Sequence, residues 1–350
     1  MFYIHHTSCI SAQQTFAGID INTLQETVNN RLQVTEPIYE GIPSGILRRM
    51  GRAIRMGVGA ALQVLKNNDA VVDGIIIGTA NGGMEDCIKF LNQIIDYDEG
   101  MLTPTNFVQS TTNAIAAQIG LLSGNKAYNT THVHRGLAFE NALIDANMLL
   151  QEDRNAHYLV GGVDEISAYN YNIECLGGWY KKEPLAARDL YQSGTSGSLA
   201  GEGAALFFVN RNKTNARAAV TGIHILHTTG EGVVASQLQL FLDKYVPVGE
   251  QIDLLLSGDN GDIRLQKYYD ACEHVLRHRT SVARFKHMMG EYPSVSAGAL
   301  WLACYILKEQ FLPVHMMKST TLPSSYNRIL IYNSYKGSQH SFMLVEKNEI

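Results

Sequence analysis

Short apolar runs rich in β-branched residues alternate along this chain with longer stretches in which apolar residues recur every three or four positions. That alternation predicts α/β layering, with helices covering a largely parallel sheet. In RAIRMGVGAALQVLK (52–66), Ile54, Val58, Leu62 and Leu65 fall on one face of an amphipathic helix. AVVDGIIIGTANGG then reads as a buried strand over 71–78 that ends in a glycine-rich turn. A second apolar helix follows over 114–122, a strand over 126–131, a helix over 137–150, and a strand in HYLVGGVDEIS. The later part repeats the rhythm: EGAALFFVN is a strand, SQLQLFLDKYV a helix, QIDLLLSGDNGD a strand ending in a polar turn, and SAGALWLACYILKEQ a buried helix. DGIIIGTANGG and DLLLSGDNGD are alike enough to hint at an internal duplication. No low-complexity linker separates the halves, so two closely packed lobes are expected, 1–209 and 210–350, in one compact unit.

Composition narrows the class. With 350 residues, 45% of them hydrophobic, the chain can bury one large core or two fused ones. The formal charge is only −5, and the one basic cluster is Arg48, Arg49, Arg52 and Arg55, which argues against nucleic acid or an anionic membrane as a partner. Five scattered cysteines without a C-x-x-C pair argue against a disulfide framework or a structural zinc site and suit a reducing cytosol. The start of the chain lacks a signal pattern, and no segment reaches the roughly 18 apolar residues of a membrane span, so a cytoplasmic protein is expected.

Five landmarks then fall in order over nearly the whole chain: GTANGGMEDCIKFL, LTPTNFVQSTTNAIAAQIGLLSG, HYLVGGVDE, GEGAALFF and KHMMGEYPSVSAGALWLA. Together with the opening strand FYIHHTSCISA, this series resembles the β-ketoacyl synthases of the thiolase superfamily. The resemblance implies a thiolase-like fold of two similar halves in α-β-α-β-α layers. It also implies condensation of an acyl thioester with a malonyl thioester on acyl carrier protein. That chemistry needs a cysteine thiolate at a helix amino terminus, an oxyanion hole, and neutral histidines that donate to the enolate.

Each of those groups is replaced. Where the cysteine should open the helix after 126–131 stands YNTTHVHRGLAFENAL; counting back from Gly161 puts Gly136 there, whereas matching the strand puts His132 or Val133 there. The first histidine belongs in the turn after IDLLL, where this chain has Ser257, Gly258 and Asp259. The second follows a lysine and a glycine; in KHMMGEYPS, Lys286 and Gly290 are kept and Glu291 replaces it. A carboxylate there repels an enolate. The glycine-rich gate of active members becomes Tyr335, Lys336 and Gly337, which removes the swinging glycine pair.

Other features have plainer readings. His132 and His134, two apart on an extended strand, face one way and could bind a metal, but no third ligand stands near, and polar helix-start residues are the better reading. His274 and His278 read as a solvated helix face, GVGAAL (57–62) as helix packing, and GTANGG as a turn without the Lys-Ser/Thr of a phosphate loop. Cys87 opens a helix, Cys175 sits in a polar loop, and neither matches the reactive position.

The resemblance therefore implies a subunit like a chain-length factor, the degenerate sister that pairs with an active ketosynthase in aromatic and polyene pathways. No cofactor or metal is implied. The active ketosynthase is the expected heterodimer partner, acyl carrier protein is reached through it, and this subunit shapes the acyl tunnel. TPTNFVQSTTN crosses the dimer interface in the family, which makes Phe107, Val108, Gln109, Ser110 and Thr111 the candidate tunnel residues, with Asn113 structural and a place in the subunit's own core as the alternative. Two other readings stand beside this one. The first is an acyltransferase using Glu291, Asp259 and His132 or His134 as acid and base; the second is a homodimeric carrier-binding module.

Overall fold

The computed structural model describes residues 1–68, 70–276 and 280–348. Ten strands form the main sheet: β1 Phe2–Ile10, β2 Gly74–Gly78, β3 Tyr128–His132, β4 Tyr158–Asp164, β5 Gly203–Asn210, β6 Ala218–His227, β7 Leu254–Ser257, β8 Ser281–Arg284, β9 Arg328–Tyr335 and β10 Gln339–Lys347. Their order is β8-β7-β9-β10-β6-β1-β5-β4-β2-β3. Each half contributes five strands in one arrangement: β3-β2-β4-β5-β1 and β8-β7-β9-β10-β6, the third, second, fourth, fifth and first strand of its half. In both, the first three of these neighbours are parallel and the last two pairings antiparallel. Within the sheet the halves pair through Phe2–Val220, Tyr3–Ala219 and Ile4–Ala218.

The main helices are α1 Arg52–Lys66, α2 Met84–Asp96, α3 Pro104–Gln109, α4 Ala114–Ser123, α5 Ala138–Glu152, α6 Ala168–Leu176, α7 Glu231–Tyr245, α8 Gln266–Leu276, α9 Lys286–Met289 and α10 Val295–Glu309. Helices α5 and α10 touch strands of both halves and form the middle layer. Position dictates composition here: α10 is buried on nearly every face, from Val295 to Leu307, as a helix between two sheets must be. α1 and α4 cover the outer face of the first half, and α7 and α8 that of the second. α1 approaches α4 closely because Gly57 lies against Ile115, where a Cβ would come within 2.6 Å of Ile115 Cγ2.

Most predicted elements stand where the periodicity puts them, although α7 begins at Glu231, five residues ahead of the predicted SQLQLFLDKYV, and other readings differ as well. The strand expected over 71–78 begins at Gly74, because Asp73 turns to accept the His157 backbone N–H on Oδ2 at 2.8 Å. Cys175, expected in a loop, lies in α6, which Ser167 caps by accepting the Asn170 N–H at 3.1 Å. TPTNFVQ forms the short α3, with proline at its start. The GVGAAL run is interior to α1, and Cys87 lies in the first turn of α2. His274 is exposed on α8; His278 lies outside the described residues. No helix among the described residues is long and apolar enough to cross a membrane.

Candidate functional site

The carboxy-terminal ends of β2, β4 and β7 converge with the amino-terminal ends of α5 and α10. Asp164, at the end of β4, fastens them. Its Oδ1 accepts from Thr79 Oγ1 (3.0 Å), Ala80 N (2.9 Å) and Asn81 N (3.1 Å), and its Oδ2 accepts from Ser294 N (3.0 Å). The GTANGG turn is thereby tied to the start of α10. Burial raises the Asp164 pKa, against the four donors that lower it.

At the start of α5, Gly136 stands in a short 3-10 turn, Arg135–Leu137. It packs directly under Tyr335: a Cβ at 136 would lie 2.1 Å from Tyr335 Cβ and 2.4 Å from its Cγ. The Gly136 N–H donates to Gln339 Oε1 at 2.9 Å. No side chain fits at 136 while Tyr335 stays in place. One turn further on, Glu140 is fully buried with Ser341 Oγ donating to it at 2.7 Å, and burial raises its pKa. His132 is placed elsewhere, its Nε2 2.9 Å from Asp145 Oδ2, which also accepts from Tyr128 Oη at 3.1 Å. β3 ends at His132, and His134 lies beyond the strand with its Nδ1 3.5 Å from Gln339 Nε2. No group of three metal-ligating side chains occurs among the described residues.

The other two positions are filled by a buried ion pair and its support. Lys286 Nζ donates to Glu291 Oε1 at 2.7 Å, and Asn260 Nδ2 donates to Glu291 Oε2 at 2.9 Å. Burial lowers the Lys286 pKa, and Glu291 opposes that shift. Ser257 is buried and its Oγ accepts the Asp259 N–H at 3.3 Å. Asp259 faces Arg284 at 3.6 Å, whose guanidinium lies over the Tyr191 ring. No hydrogen bond among the described residues joins His132 or His134 to Glu291 or Asp259. The remaining cavity measures about 40 Å³ and is lined by Asn81, Glu165, Trp179, Asn260, Glu291 and Tyr335 among others. That is room for a few waters and well below the several hundred Å³ of a ligand pocket.

The mouth is closed by the turn after β9. Tyr335 pairs with Gln339, and Lys336 and Gly337 take φ of +53° and +64° between them. Lys336 Nζ donates to Glu174 Oε2 at 2.5 Å. Lys181 holds the neighbouring turn from below, donating to Ser193 Oγ, Thr195 O and Gly261 O at 2.7–2.8 Å. Sequence reasoning passed over Asn260, Glu174 and Lys181; the polar run SGDNGD was a signal for the first only.

No cysteine lines the cavity among the described residues, although Cys175 follows Glu174 and interacts with Tyr171, both of which line it. Burial pushes Cys9 and Cys304 up to about 12 and raises Cys272 too. Cys87 and Cys175 are half-buried. In TPTNFVQSTTN, Phe107 is 59% and Val108 65% exposed, so neither fills the subunit's own core. Phe107 touches Phe90, with ring centroids 5.3 Å apart. Gln109 Oε1 accepts the Gly51 N–H at 2.7 Å, and Asn113 Oδ1 accepts from Thr131 Oγ1 at 2.9 Å.

Two like halves enclosing a middle pair of helices, with a site at the helix starts, define a thiolase-like α/β protein. Residues 25–234 match the family model of the β-ketoacyl synthase N-terminal domain, and the chain belongs to that family. No curated protein matches it in sequence. Among solved structures it is similar to the ishigamide ketosynthase/chain length factor, with a TM-score of 0.81 and 14% identity over 99% of both chains. It is also similar to a structure of the ketosynthase ApeO in complex with its chain length factor ApeC from Xenorhabdus doucetiae (TM-score 0.77, 14% identity, 99% of this chain and 98% of that one). A third likeness is to the AntDE:AntF assembly, a type II polyketide acyl-carrier protein in complex with its ketosynthase (TM-score 0.79, 11% identity, 99% of both chains).

Proposed function

We propose that this chain is a non-catalytic, chain-length-factor-like subunit that pairs with an active β-ketoacyl-acyl-carrier-protein synthase and shapes the partner's acyl tunnel. The observation that carries this reading is the packing of Tyr335 on Gly136. The place from which a nucleophile would project is occupied, and no cysteine lines the cavity among the described residues. The Lys286–Glu291–Asn260 cluster adds to it: each oxygen of the carboxylate that replaces a hydrogen-bond donor is already engaged by a partner. In this reading His132, Gly136, Ser257, Asp259, Lys286 and Glu291 are remnants of a catalytic set, and Tyr335, Lys336 and Gly337 form a fixed gate.

The exposed Phe107 and Val108, with Gln109, Ser110 and Thr111 beside them, supply the tunnel and interface surface, and acyl carrier protein is engaged through the partner. The two halves divide near 209/210 and act as one unit in the cytoplasm. The similar ketosynthase/chain length factor structures support the pairing. Intact-protein mass spectrometry tests it: incubation of the isolated chain with acyl- or malonyl-loaded carrier protein should add no mass, and co-expression with a ketosynthase that retains its cysteine and both histidines should yield a stable heterodimer. A stoichiometric acyl adduct on the isolated chain sinks the non-catalytic reading, and a stable self-dimer that ignores the ketosynthase sinks the pairing.

A further inference from the structure

The cavity at the site has a wall chemistry that the preceding reading does not use. Its lining is aromatic and acidic, with Tyr171, Trp179, Tyr180 and Tyr335 beside Glu174 and Glu291, and Lys336 is the one cation that lines it among the described residues. Aromatic faces set beside carboxylates are the surroundings that recognise an ammonium group. The Lys336 ammonium occupies them: it lies 2.5 Å from Glu174 Oε2, 5.0 Å from the centroid of the Trp179 ring and 5.3 Å from that of Tyr335. Arg264 also lies over Trp179, at 4.8 Å, but its guanidinium is committed to Asp262 through Nε and Nη2 and to the Gly178 carbonyl.

We propose that Glu174, Trp179 and Tyr335 form a binding cage for a primary alkylammonium group, which Lys336 fills from within the chain, latching the turn over the cavity that contains Glu291. The stem of Lys336 springs from a backbone with φ of +53°, on a turn whose strands are held in register from Tyr335–Gln339 onward. A tethered group of this kind acts at an effective concentration on the order of millimolar or above, so free amines at lower concentration leave the native chain unchanged. Withdrawing Lys336 opens the cage to an external ammonium of the same size.

Trp179 reports the state of the cage, because the only other tryptophan, Trp301, is 3% exposed. Lys336→Gly removes the ammonium and suits the positive φ, so the turn keeps its shape. Acrylamide quenching of Trp179 is expected to rise roughly two-fold or more in Lys336→Gly as the cation and its stem leave the ring. Addition of n-butylammonium chloride to about 50 mM should reverse the rise along a saturable curve. Sodium chloride and tetrabutylammonium chloride at the same ionic strength should not. Lys336→Asn, which removes the charge and most of the stem and tolerates the positive φ, and Glu174→Gln in the otherwise native chain serve as second and third routes to the open state. Unchanged quenching in all three folded variants overturns the latch. Equal reversal by sodium chloride overturns the ammonium cage. Neither result bears on the pairing with a ketosynthase, which acyl labelling and co-expression test separately.

Discussion

At Gly136 the consequence of close packing is a prediction about repair. Gly136→Cys puts a thiol back at the start of α5, but its Cβ would overlap Tyr335 at 2.1 Å. Overpacking of this kind costs about 1–3 kcal/mol, so the variant should melt at a lower temperature and still take up no acyl group; Tyr335→Ala should not rescue it, because the overlapping Cβ stays and a buried ring is lost. The buried pair gives a second test. Lys286→Met leaves Glu291 without its cation and should cost about 3–5 kcal/mol in urea titrations, whereas Lys286→Met with Glu291→Leu should return most of that. A third concerns pH. Glu165 lies in the wall of the cavity, and burial, reinforced by Asp86 and Glu85, pushes its carboxyl up to about 7 from an ordinary 4.5. The fold holds this proton more tightly than the unfolded chain does, so its contribution falls as pH rises from 4.5 and is fully lost above 7. Glu165→Gln, which can keep the bond from the Ala53 N–H, should therefore gain on the native chain by about 2–3 kcal/mol between pH 5 and pH 8, measured by denaturation at both. The sequence put forward Ser257, Glu291 and one of His132, Val133 and Gly136 as the altered positions. What stabilises them was not legible there: Asn260 reaches Glu291 across 31 residues, and the contact of Tyr335 with Gly136 joins the two halves.

Among the elements, long periodic segments declared themselves and short ones did not. α1 and α10 fall within a residue of their predicted limits, because an amphipathic stripe in the first and an unbroken apolar run in the second each persist over four turns. α3 has six residues and α6 nine, with no residue of either buried, so neither carries a periodic apolar face from which to read it. α3 is also where the tunnel role can be separated from a structural one. Phe107→Ala removes a ring whose one aromatic contact is Phe90, so folding stability should change by about 1 kcal/mol or less, against the 3–5 kcal/mol of a core aromatic. In the reconstituted pair the same substitution should lengthen the acyl chains released, and Ser110→Phe or Thr111→Phe should shorten them or stall extension. Chromatography of the released chains beside size-exclusion of the complex reads both effects, and an unaltered length distribution in all three variants refutes the tunnel role.

On the scale of the whole molecule, the repeated strand order is what the resemblance of DGIIIGTANGG to DLLLSGDNGD hints at. The repeat is faint in the sequence because a buried parallel strand asks only for a short apolar run, and many side chains satisfy it. The order of the strands, by contrast, is fixed by connections and is invisible to periodicity. One detail of that order reaches beyond the finished fold. β1 is made well before both its neighbours, β5 and β6, with Tyr3 paired to Asn210 and to Ala219. At translation speeds of about 5–20 residues per second, β1 waits roughly 10–40 s for β5. Throughout that interval FYIHHTSCI has neither strand neighbour, and the two five-strand sets can join into one sheet only once β5 and β6 have been made.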